Sequence, residues 1–273
     1  MTSVRTEPDV AYARAGGRDL RCDLHWPADA AGPLPVAIYL HGGGWARGSR
    51  SDRASERLIP VAASGIAVAS IEYRLSGEAV WPAQFDDVRA ALAAVPALLA
   101  DRGVAVSGRV SLWGCSAGGH VALMAALTAV DDQRPDAVVA WFPPTDLTLM
   151  SRAPASPGAR MPSFLPPGVE VPAFERMLLG LPDESAGASS DAEALRAASP
   201  LALVRAGSAP VLLIHGDEDA LMPASHSEAL HDALRDAGGD VSMLTVRGAT
   251  HEDPLFDTPA VLGATAAHLR GGA

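Results

Sequence analysis

The amino-acid sequence predicts an α/β fold, with a mostly parallel central sheet and helices on both of its faces. Three observations support this expectation. Short apolar segments typical of buried strands alternate with segments of helical pattern, which favours a parallel sheet covered on both faces. The 273 residues are 48% hydrophobic and 19% charged, which is enough apolar material for one large core. The sequence shows no internal repeat or linker, so we expect a single domain over residues 1–273.

The strands are predicted from short apolar runs bounded by Gly and Pro. The chain opens with an expected antiparallel pair, Val10–Arg14 and Leu20–Trp26, joined by a turn at Gly16-Gly17. Six further runs have the length and composition of buried strands. In chain order they are Val36–Leu40, Ile66–Tyr73, Val110–Trp113, Val138–Phe142, Val211–Ile214 and Val241–Val246.

Three segments between these strands have helical patterns. Ala83–Ala100 begins after a proline and carries two acidic residues in its first turn, where the helix dipole favours them. Gly118–Val130 and Ala224–Ala237 complete the set, the latter ending at a pair of glycines.

Residues 143–200 interrupt the alternation of strands and helices. They are rich in Pro, Ser and Ala, and they contain one expected short helix around Phe174–Leu179. Because long irregular segments in compact domains usually serve function, we expect a Pro-rich, cap-like excursion over the site. The alternative is a solvent-exposed insertion without a role in substrate binding.

The charge and the cysteine content exclude several classes of function. The net charge of −11 argues against binding to nucleic acid or to an anionic membrane surface. The two cysteines, Cys22 and Cys115, do not have metal-ligand spacing, and we expect Cys115 to be a buried apolar thiol.

The first residues lack the apolar core of a signal peptide, and no apolar run is long enough to span a membrane. We therefore expect a cytoplasmic protein.

The pentapeptide Gly114-Cys115-Ser116-Ala117-Gly118 fits the G-x-S-x-G pattern of a nucleophile elbow. Its glycines permit a tight turn between the strand predicted before it and the helix predicted after it. Such a turn would lift Ser116 above the sheet, where a base could remove the hydroxyl proton during attack. We therefore assign Ser116 as the nucleophile; a glycine-rich turn without chemistry is the alternative.

The upstream segment His41-Gly42-Gly43-Gly44-Trp45 follows a predicted central strand. Glycines allow the backbone to approach a substrate, so we assign the N–H groups of Gly43, Gly44 and Ala117 as an oxyanion hole. A phosphate-binding loop of the Walker type would require a lysine, and the chain contains none. We expect His41 to organise the loop and Trp45 to pack against it.

The base and its acidic partner are expected downstream of Ser116. His251 follows the last predicted strand and is assigned as the base, whereas His226 and His231 lie on a predicted helix and are interpreted as surface residues. The segment Asp217-Glu218-Asp219 follows a predicted strand and holds three candidate acids. Glutamate has the wrong reach for a short bridge, so either aspartate could serve. This chemistry requires no metal or organic cofactor, and we expect none.

Taken together, these segments resemble the α/β-hydrolase superfamily. More narrowly, the chain resembles the branch of bifunctional feruloyl/acetyl-xylan esterase-like proteins, near the hormone-sensitive-lipase-like esterases and the kynurenine formamidases. The similarity covers most of the chain and implies an α/β-hydrolase fold with Asp219 as the acid. The segments that carry it are His41–Trp45, Tyr73–Ser76, Trp81–Gln84 with Asp87, Ser116–His120, Pro144–Leu147, Leu178–Gly180, Ala198–Leu201, His215–Asp219 with Pro223, and His251.

The expected function is hydrolysis of carboxylic esters with small or medium acyl groups, through a triad of Ser116, His251 and Asp219 and an acyl-enzyme intermediate. Alternatives within enzymes are an arylformamidase-like amidase and a biosynthetic acyltransferase or cyclase with the same triad. A non-enzymatic, ligand-binding relative is a further alternative, which the intact triad disfavours. The expected partner is a small-molecule ester or amide, with no nucleic acid and no membrane, and the sequence does not give the oligomeric state.

Overall fold

The structure, a computed structural model, describes residues 2–129, 134–150, 172–182 and 189–272. At its centre is an eight-stranded sheet with the order β1-β2-β4-β3-β5-β6-β7-β8. The strands are β1 (Val4–Ala15), β2 (Arg18–Pro27), β3 (Leu34–Leu40), β4 (Ala67–Ile71), β5 (Val106–Cys115), β6 (Val138–Trp141), β7 (Val211–Gly216) and β8 (Val241–Val246).

The sheet is mostly parallel, as predicted. Strand β2 pairs antiparallel with β1 on one side and with β4 on the other, while the six strands from β4 to β8 in sheet order run parallel. Leu40 at the end of β3 lies beside Gly114, and Cys115 at the end of β5 lies beside Trp141. The carboxyl ends of the central strands therefore meet at one edge, which is where parallel sheets place their ligand sites.

Helices cover both faces of the sheet, which confirms the predicted architecture. Alternate residues of β3 show the division: Ile38 belongs to one buried cluster and Tyr39 to the other. The first cluster includes side chains of α2, α3 and α6, and the second includes side chains of α1 and α7. The helices are α1 (Ile59–Ala63), α2 (Ala83–Ala100), α3 (Ala117–Thr128), α4 (Phe174–Leu179), α5 (Ser189–Ala197), α6 (Ser225–Asp236) and α7 (Pro259–Arg270).

Three helices were missed from the sequence. The shortest of them, α1, has only five residues. Of the other two, the first, α7, has proline at its start and buries Leu262 and Leu269 on one face, a signal that the prediction overlooked. The second, α5, lies in the Pro-rich segment, where one helix was expected. Its sequence lacks the apolar stripe by which a buried helix is recognised. The strand prediction was also too short at the start, because β1 begins at Val4.

The Pro-rich segment 143–200 is only partly covered by the described residues. Helix α4 has the predicted bounds, and 151–171 and 183–188 lie outside the described residues. The expectation of one domain over 1–273 stays a prediction. Within the described parts of the chain, every helix is too short or too polar to cross a membrane.

Candidate active site

Ser116 lies at the sharp turn between β5 and α3. Its backbone has φ of 50° and ψ of −121°, a strained conformation for a residue with a side chain. The N–H group of Ser116 donates to the carbonyl of Trp141 (2.8 Å), and its carbonyl accepts from the N–H of His120 (3.0 Å). These two bonds hold the turn, so the hydroxyl is carried at the carboxyl edge of the sheet.

The flanking glycines are required by close backbone contacts. A Cβ atom at Gly114 would lie 2.4 Å from the backbone of Gly118, and one at Gly118 would lie 2.2 Å from the carbonyl oxygen of Leu40. Both distances are far below van der Waals contact, so any side chain there would displace the turn. The structure thus supplies the physical reason for the G-x-S-x-G pattern.

His251 brings its imidazole to Ser116 from the segment after β8. Its Nε2 atom is 2.9 Å from Oγ of Ser116, and its Nδ1 atom is 2.7 Å from Oδ2 of Asp219. The ring is buried and packs edge-on against Phe142, with centroids 4.7 Å apart. The three predicted triad residues therefore form one continuous hydrogen-bonded chain.

Asp219 is held on both of its carboxylate oxygens. Oδ1 accepts from the backbone N–H groups of Leu221 (3.0 Å) and Met222 (2.8 Å). Oδ2 faces His251 and also lies 3.5 Å from Nε2 of His215. Burial by itself would raise the pKa of Asp219, but the charge of His251 and the hydrogen bonds from both histidines lower it far below its usual value. The carboxylate therefore remains ionised in the folded protein.

The same contacts set the protonation of the base. Burial lowers the pKa of His251, whereas the charge of Asp219 and its hydrogen bond raise it. The second effect is larger, so the net shift is upward from the ordinary value. The imidazolium that would form during attack on a substrate is thus stabilised by the Asp219 carboxylate.

The structure gives the two candidate aspartates different contacts. Asp217 is exposed, and its Oδ1 atom accepts the N–H of Gly248 at 2.6 Å. It ties the loop after β7 to the loop after β8, whereas Asp219 reaches His251. The two neighbours in sequence therefore have different roles, one in joining loops and one in contacting the imidazole.

The glycine segment lies beside Ser116 in a left-handed backbone conformation that favours glycine. Gly43 and Gly44 have φ of 115° and 62°, and a Cβ atom at Gly44 would lie 2.7 Å from the ring of Phe174. The carbonyl of Gly43 accepts the N–H groups of Ala46 and Arg47, both at 3.2 Å. Gly43, Gly44 and Ala117 all line the cavity into which Ser116 opens, so the three predicted donors are brought together.

His41 and Trp45 anchor the two ends of this glycine segment. The ring of His41 stacks on Tyr73 at 4.5 Å, and its Nδ1 atom lies 2.7 Å from the carbonyl oxygen of Gly42. Trp45 is buried and donates from Nε1 to Nδ1 of His120 at 3.2 Å. His41 thus organises the loop and Trp45 packs against it, as expected.

His226 was predicted to be a surface residue, and that prediction is wrong. It is buried at the start of α6, and its Nδ1 atom accepts the N–H of Thr145 at 3.2 Å. Burial lowers its pKa to about 4. The helical pattern predicted its position on α6, but the segment after β6 that covers it comes from a distant part of the chain. His231 is partly exposed beside Asp232.

A cluster of buried polar groups behind Ser116 was not predicted. Arg57 is fully buried, and its Nε atom donates to Oδ1 of Asp257 (2.8 Å) while Nη1 donates to the hydroxyl of Tyr39 (3.0 Å). Its Nη2 atom lies 3.6 Å from Oε2 of Glu252, the residue that follows His251. The Sγ atom of Cys115 lies 3.5 Å from Nη1 and 3.1 Å from the Tyr39 hydroxyl. Cys115 is therefore buried, as expected, but its surroundings are polar.

Ser116 and His251 open into a cavity of about 710 Å³. Its volume is within the range of about 300–1,000 Å³ that is common for small-molecule sites. Pro172 and Phe174 contribute to its wall, so the described part of the Pro-rich segment does border the site. Among the described residues, no group of three or more His, Cys, Asp or Glu side chains could hold a metal ion.

Comparison with known proteins identifies similar sequences over most of the chain. A model of the family described as BD-FAE matches residues 22–234. Esterase LipC of Mycobacterium tuberculosis is 31% identical over 237 residues, which are 82% of this chain and 54% of LipC. Carboxylesterase NlhH of the same species is 30% identical over 244 residues, or 87% of this chain and 69% of NlhH. The chain spans about half the length of the first curated relatives that it matches, with shares of 54%, 58% and 50%.

A solved structure matches almost the whole chain. The truncated form of a carbohydrate esterase from gut microbiota superposes with a TM-score of 0.80 at 25% identity, covering 99% of this chain and 96% of that one. The similarity and the eight-stranded sheet confirm the predicted α/β-hydrolase fold.

Proposed function

Because the chain belongs to the BD-FAE family, we propose that it is a serine hydrolase that cleaves carboxylic esters of small or medium acyl groups. The observation that carries the proposal is the unbroken contact from Ser116 through His251 to Asp219, at 2.9 and 2.7 Å. The relatives named esterase and carboxylesterase support the ester as the bond that is cleaved. The proposal includes the cytoplasmic location expected from the sequence.

In the proposed acylation step, Nε2 of His251 takes the proton of the Ser116 hydroxyl while Oγ attacks the ester carbonyl. Asp219 keeps the other imidazole proton on Nδ1, so that Nε2 is free to accept. Two protein groups then carry the charges that develop. The Asp219 carboxylate stabilises the imidazolium, and the N–H groups of Gly43, Gly44 and Ala117 stabilise the oxyanion.

Breakdown of the tetrahedral intermediate follows from the same geometry. The imidazolium of His251 returns its proton to the leaving alcohol, and the acyl group stays on Oγ of Ser116. A water molecule then enters, and His251 removes one of its protons as the water oxygen attacks the acyl carbon. The bond between that carbon and Oγ of Ser116 breaks, the imidazolium returns the proton to Oγ, and the acid product leaves. Each step uses the one imidazole that lies between the nucleophile and the carboxylate.

The finer placement in the feruloyl/acetyl-xylan esterase-like branch is part of the proposal. It is supported by the family match over residues 22–234 and by the similarity to the carbohydrate esterase. The cavity volume of about 710 Å³ supports a small or medium acyl group. The amidase, acyltransferase and cyclase alternatives rest on the sequence alone.

The first experiment uses a fluorophosphonate probe followed by mass spectrometry, on wild type and on Ser116→Ala. We expect a single adduct on Ser116 and none in the variant, together with turnover of p-nitrophenyl acetate by wild type alone. Retained activity in folded Ser116→Ala would show that another residue is the nucleophile. If N-formylkynurenine is hydrolysed faster than p-nitrophenyl acetate, the protein is an arylformamidase-like amidase rather than an esterase.

A further inference from the structure

One carboxyl oxygen on the wall of the active-site cavity lacks a hydrogen-bond partner among the described residues. Glu175, on α4, is only 2% exposed, and its Oε1 atom has no hydrogen-bond partner within the described part of the chain. The residue lines the same cavity as Ser116. A buried carboxyl oxygen without a partner costs free energy, because the water that solvated it has been removed without replacement. A ligand that donates a hydrogen bond in the cavity would recover that free energy.

The helix that carries Glu175 borders the glycine segment beside Ser116. Glu175 directly follows Phe174, whose ring lies 2.7 Å from the position that a Cβ atom would take at Gly44. The short helix therefore packs against the glycine segment. Glu175 and Ser116 line the same cavity, so a ligand in that cavity can contact both.

Three arginines near the cavity, Arg53, Arg57 and Arg176, form ion pairs with aspartates. Arg53 and Arg57 both pair with Asp257, and Arg176 pairs with Asp191 at 2.9 Å. The exposed Arg47 places its guanidinium 5.8 Å from the centre of the Phe174 ring.

Glu175 is in none of the ion pairs among the described residues. Burial raises the pKa of its carboxyl group, and a bound cation would favour the ionised form again. The chemistry that fits this oxygen best is therefore a cation that also carries an N–H donor.

We propose that Glu175 is a specificity-determining residue that binds a protonated amine of the substrate. The preferred substrates are then small esters that carry an ammonium group in the alcohol part or in the acyl part. The proposal rests on the proposed function, since the amine is placed relative to an ester carbonyl at Ser116. It adds a substrate class that the triad geometry alone does not specify.

The test compares two esters of nearly the same shape: dimethylaminoethyl acetate, which is cationic at neutral pH, and isopentyl acetate, which is uncharged. A second pair carries the same groups in the acyl part, as ethyl dimethylaminobutanoate and its carbon analogue. The quantity measured is the ratio of kcat/KM for the cationic and the neutral member of each pair. The proteins are wild type, Glu175→Gln, and the matched control Glu228→Gln, which removes an exposed carboxylate from α6.

We expect wild type to favour the cationic member of at least one pair. In Glu175→Gln that ratio should fall roughly tenfold or more, because a charge-assisted hydrogen bond is lost. Glu228→Gln should keep the wild-type ratio, since it changes only the distant surface charge. Ratios that are the same in wild type and Glu175→Gln for both pairs would overturn the proposal.

Two further measurements cover the cases in which Glu175→Gln does not fold or wild type hydrolyses none of these esters. If Glu175→Gln does not fold, Glu175→Asp retains the charge with a shorter reach, and its ratio should fall between the wild-type value and unity. If wild type hydrolyses none of the esters, the proposed function fails, but the proposal for Glu175 is still decided by a binding measurement.

That measurement is calorimetry with ketones that have a methylene in place of the ester oxygen. Wild type should bind the cationic ketone more tightly than the neutral one, and Glu175→Gln should lose this preference. Equal affinities for the two ketones would overturn it.

Discussion

Replacing Asp219 by asparagine tests the acidic member of the proposed triad, for which local sequence alone left Asp217 and Asp219 as candidates. Oδ1 of Asp219 accepts two backbone N–H groups, at 3.0 and 2.8 Å, so the amide oxygen of an asparagine would take that side. The amide NH₂ would then face Nδ1 of His251 in place of Oδ2, which is now 2.7 Å away. Nδ1 would have to accept a hydrogen bond, and the imidazole proton would move to Nε2.

That change of tautomer removes the base. The Nε2 atom that lies 2.9 Å from Oγ of Ser116 would carry a proton and could not take another. In serine hydrolases with a triad, the equivalent change lowers kcat by about ten-thousand-fold, which is roughly 5 kcal/mol of barrier. We expect a loss of that order for Asp219→Asn, measured as kcat on p-nitrophenyl acetate.

The matched control is Asp217→Asn, two residues away. Asp217 is exposed and accepts the N–H of Gly248, a bond that an asparagine oxygen can also make. We expect its kcat to remain within about threefold of wild type, in line with the small effects of exposed substitutions. The reasoning is refuted if Asp219→Asn keeps more than a tenth of wild-type kcat, or if Asp217→Asn loses more activity than Asp219→Asn.

Three other predictions concern the glycine segment, the proposed base His251 and the buried Arg57. Gly44→Ala would press a methyl group into the ring of Phe174 at a positive φ, and kcat/KM should fall about 100-fold or more as the loop N–H groups shift. The rate should rise with pH along one limb whose midpoint lies above the ordinary value for histidine, because Asp219 outweighs burial and raises the pKa of His251. Arg57→Met should lower the free energy of unfolding by about 2–3 kcal/mol in a urea titration, because the Asp257 carboxylate loses one of its two arginine partners and the Tyr39 hydroxyl loses a donor.

Each of these predictions has its own control or contrary outcome. Gly17→Ala also has a positive φ, of 80°, but nothing lies within 4 Å of its Cβ position, so only Gly44→Ala should lose catalysis. A rate that is constant between pH 5 and pH 8 would contradict the role of His251. Arg235→Met removes an arginine whose side chain is 60% exposed, and an equal loss of stability there would contradict the reasoning for Arg57.

The parts of the site that could be predicted from the sequence are those marked by short motifs or by chain order. The elbow around Ser116 needs glycines because two backbone segments touch there, and that requirement is visible in five consecutive residues. The position of His251 after the last strand follows from chain order. Asp217 and Asp219 could not be separated in this way, because both follow β7 and only the path of the loop decides which one reaches the imidazole.

Other parts of the site depend on contacts between segments far apart in sequence. Arg57 pairs with a carboxylate 200 residues away, and no motif marks either member of the pair. Glu175 lies in a short helix whose sequence gives no sign that its carboxyl group is enclosed. The burial of His226 likewise depends on the segment after β6 that contains Thr145. These features follow from packing between segments, which the order of residues in one chain does not display.

The ion pair between Arg57 and Asp257 limits how early the interior around Arg57 can form during synthesis of the chain. Asp257, its carboxylate partner, is made 200 residues after the arginine. At usual rates of translation that interval is on the order of 10–40 s. Until then the guanidinium beneath Ser116 cannot be enclosed without leaving an unpaired charge in the interior. The nascent chain therefore holds Ser116 and the glycine segment for many seconds before Asp257 can pair with the guanidinium, and the proposed hydrolytic activity should arise only after Asp257 has been made.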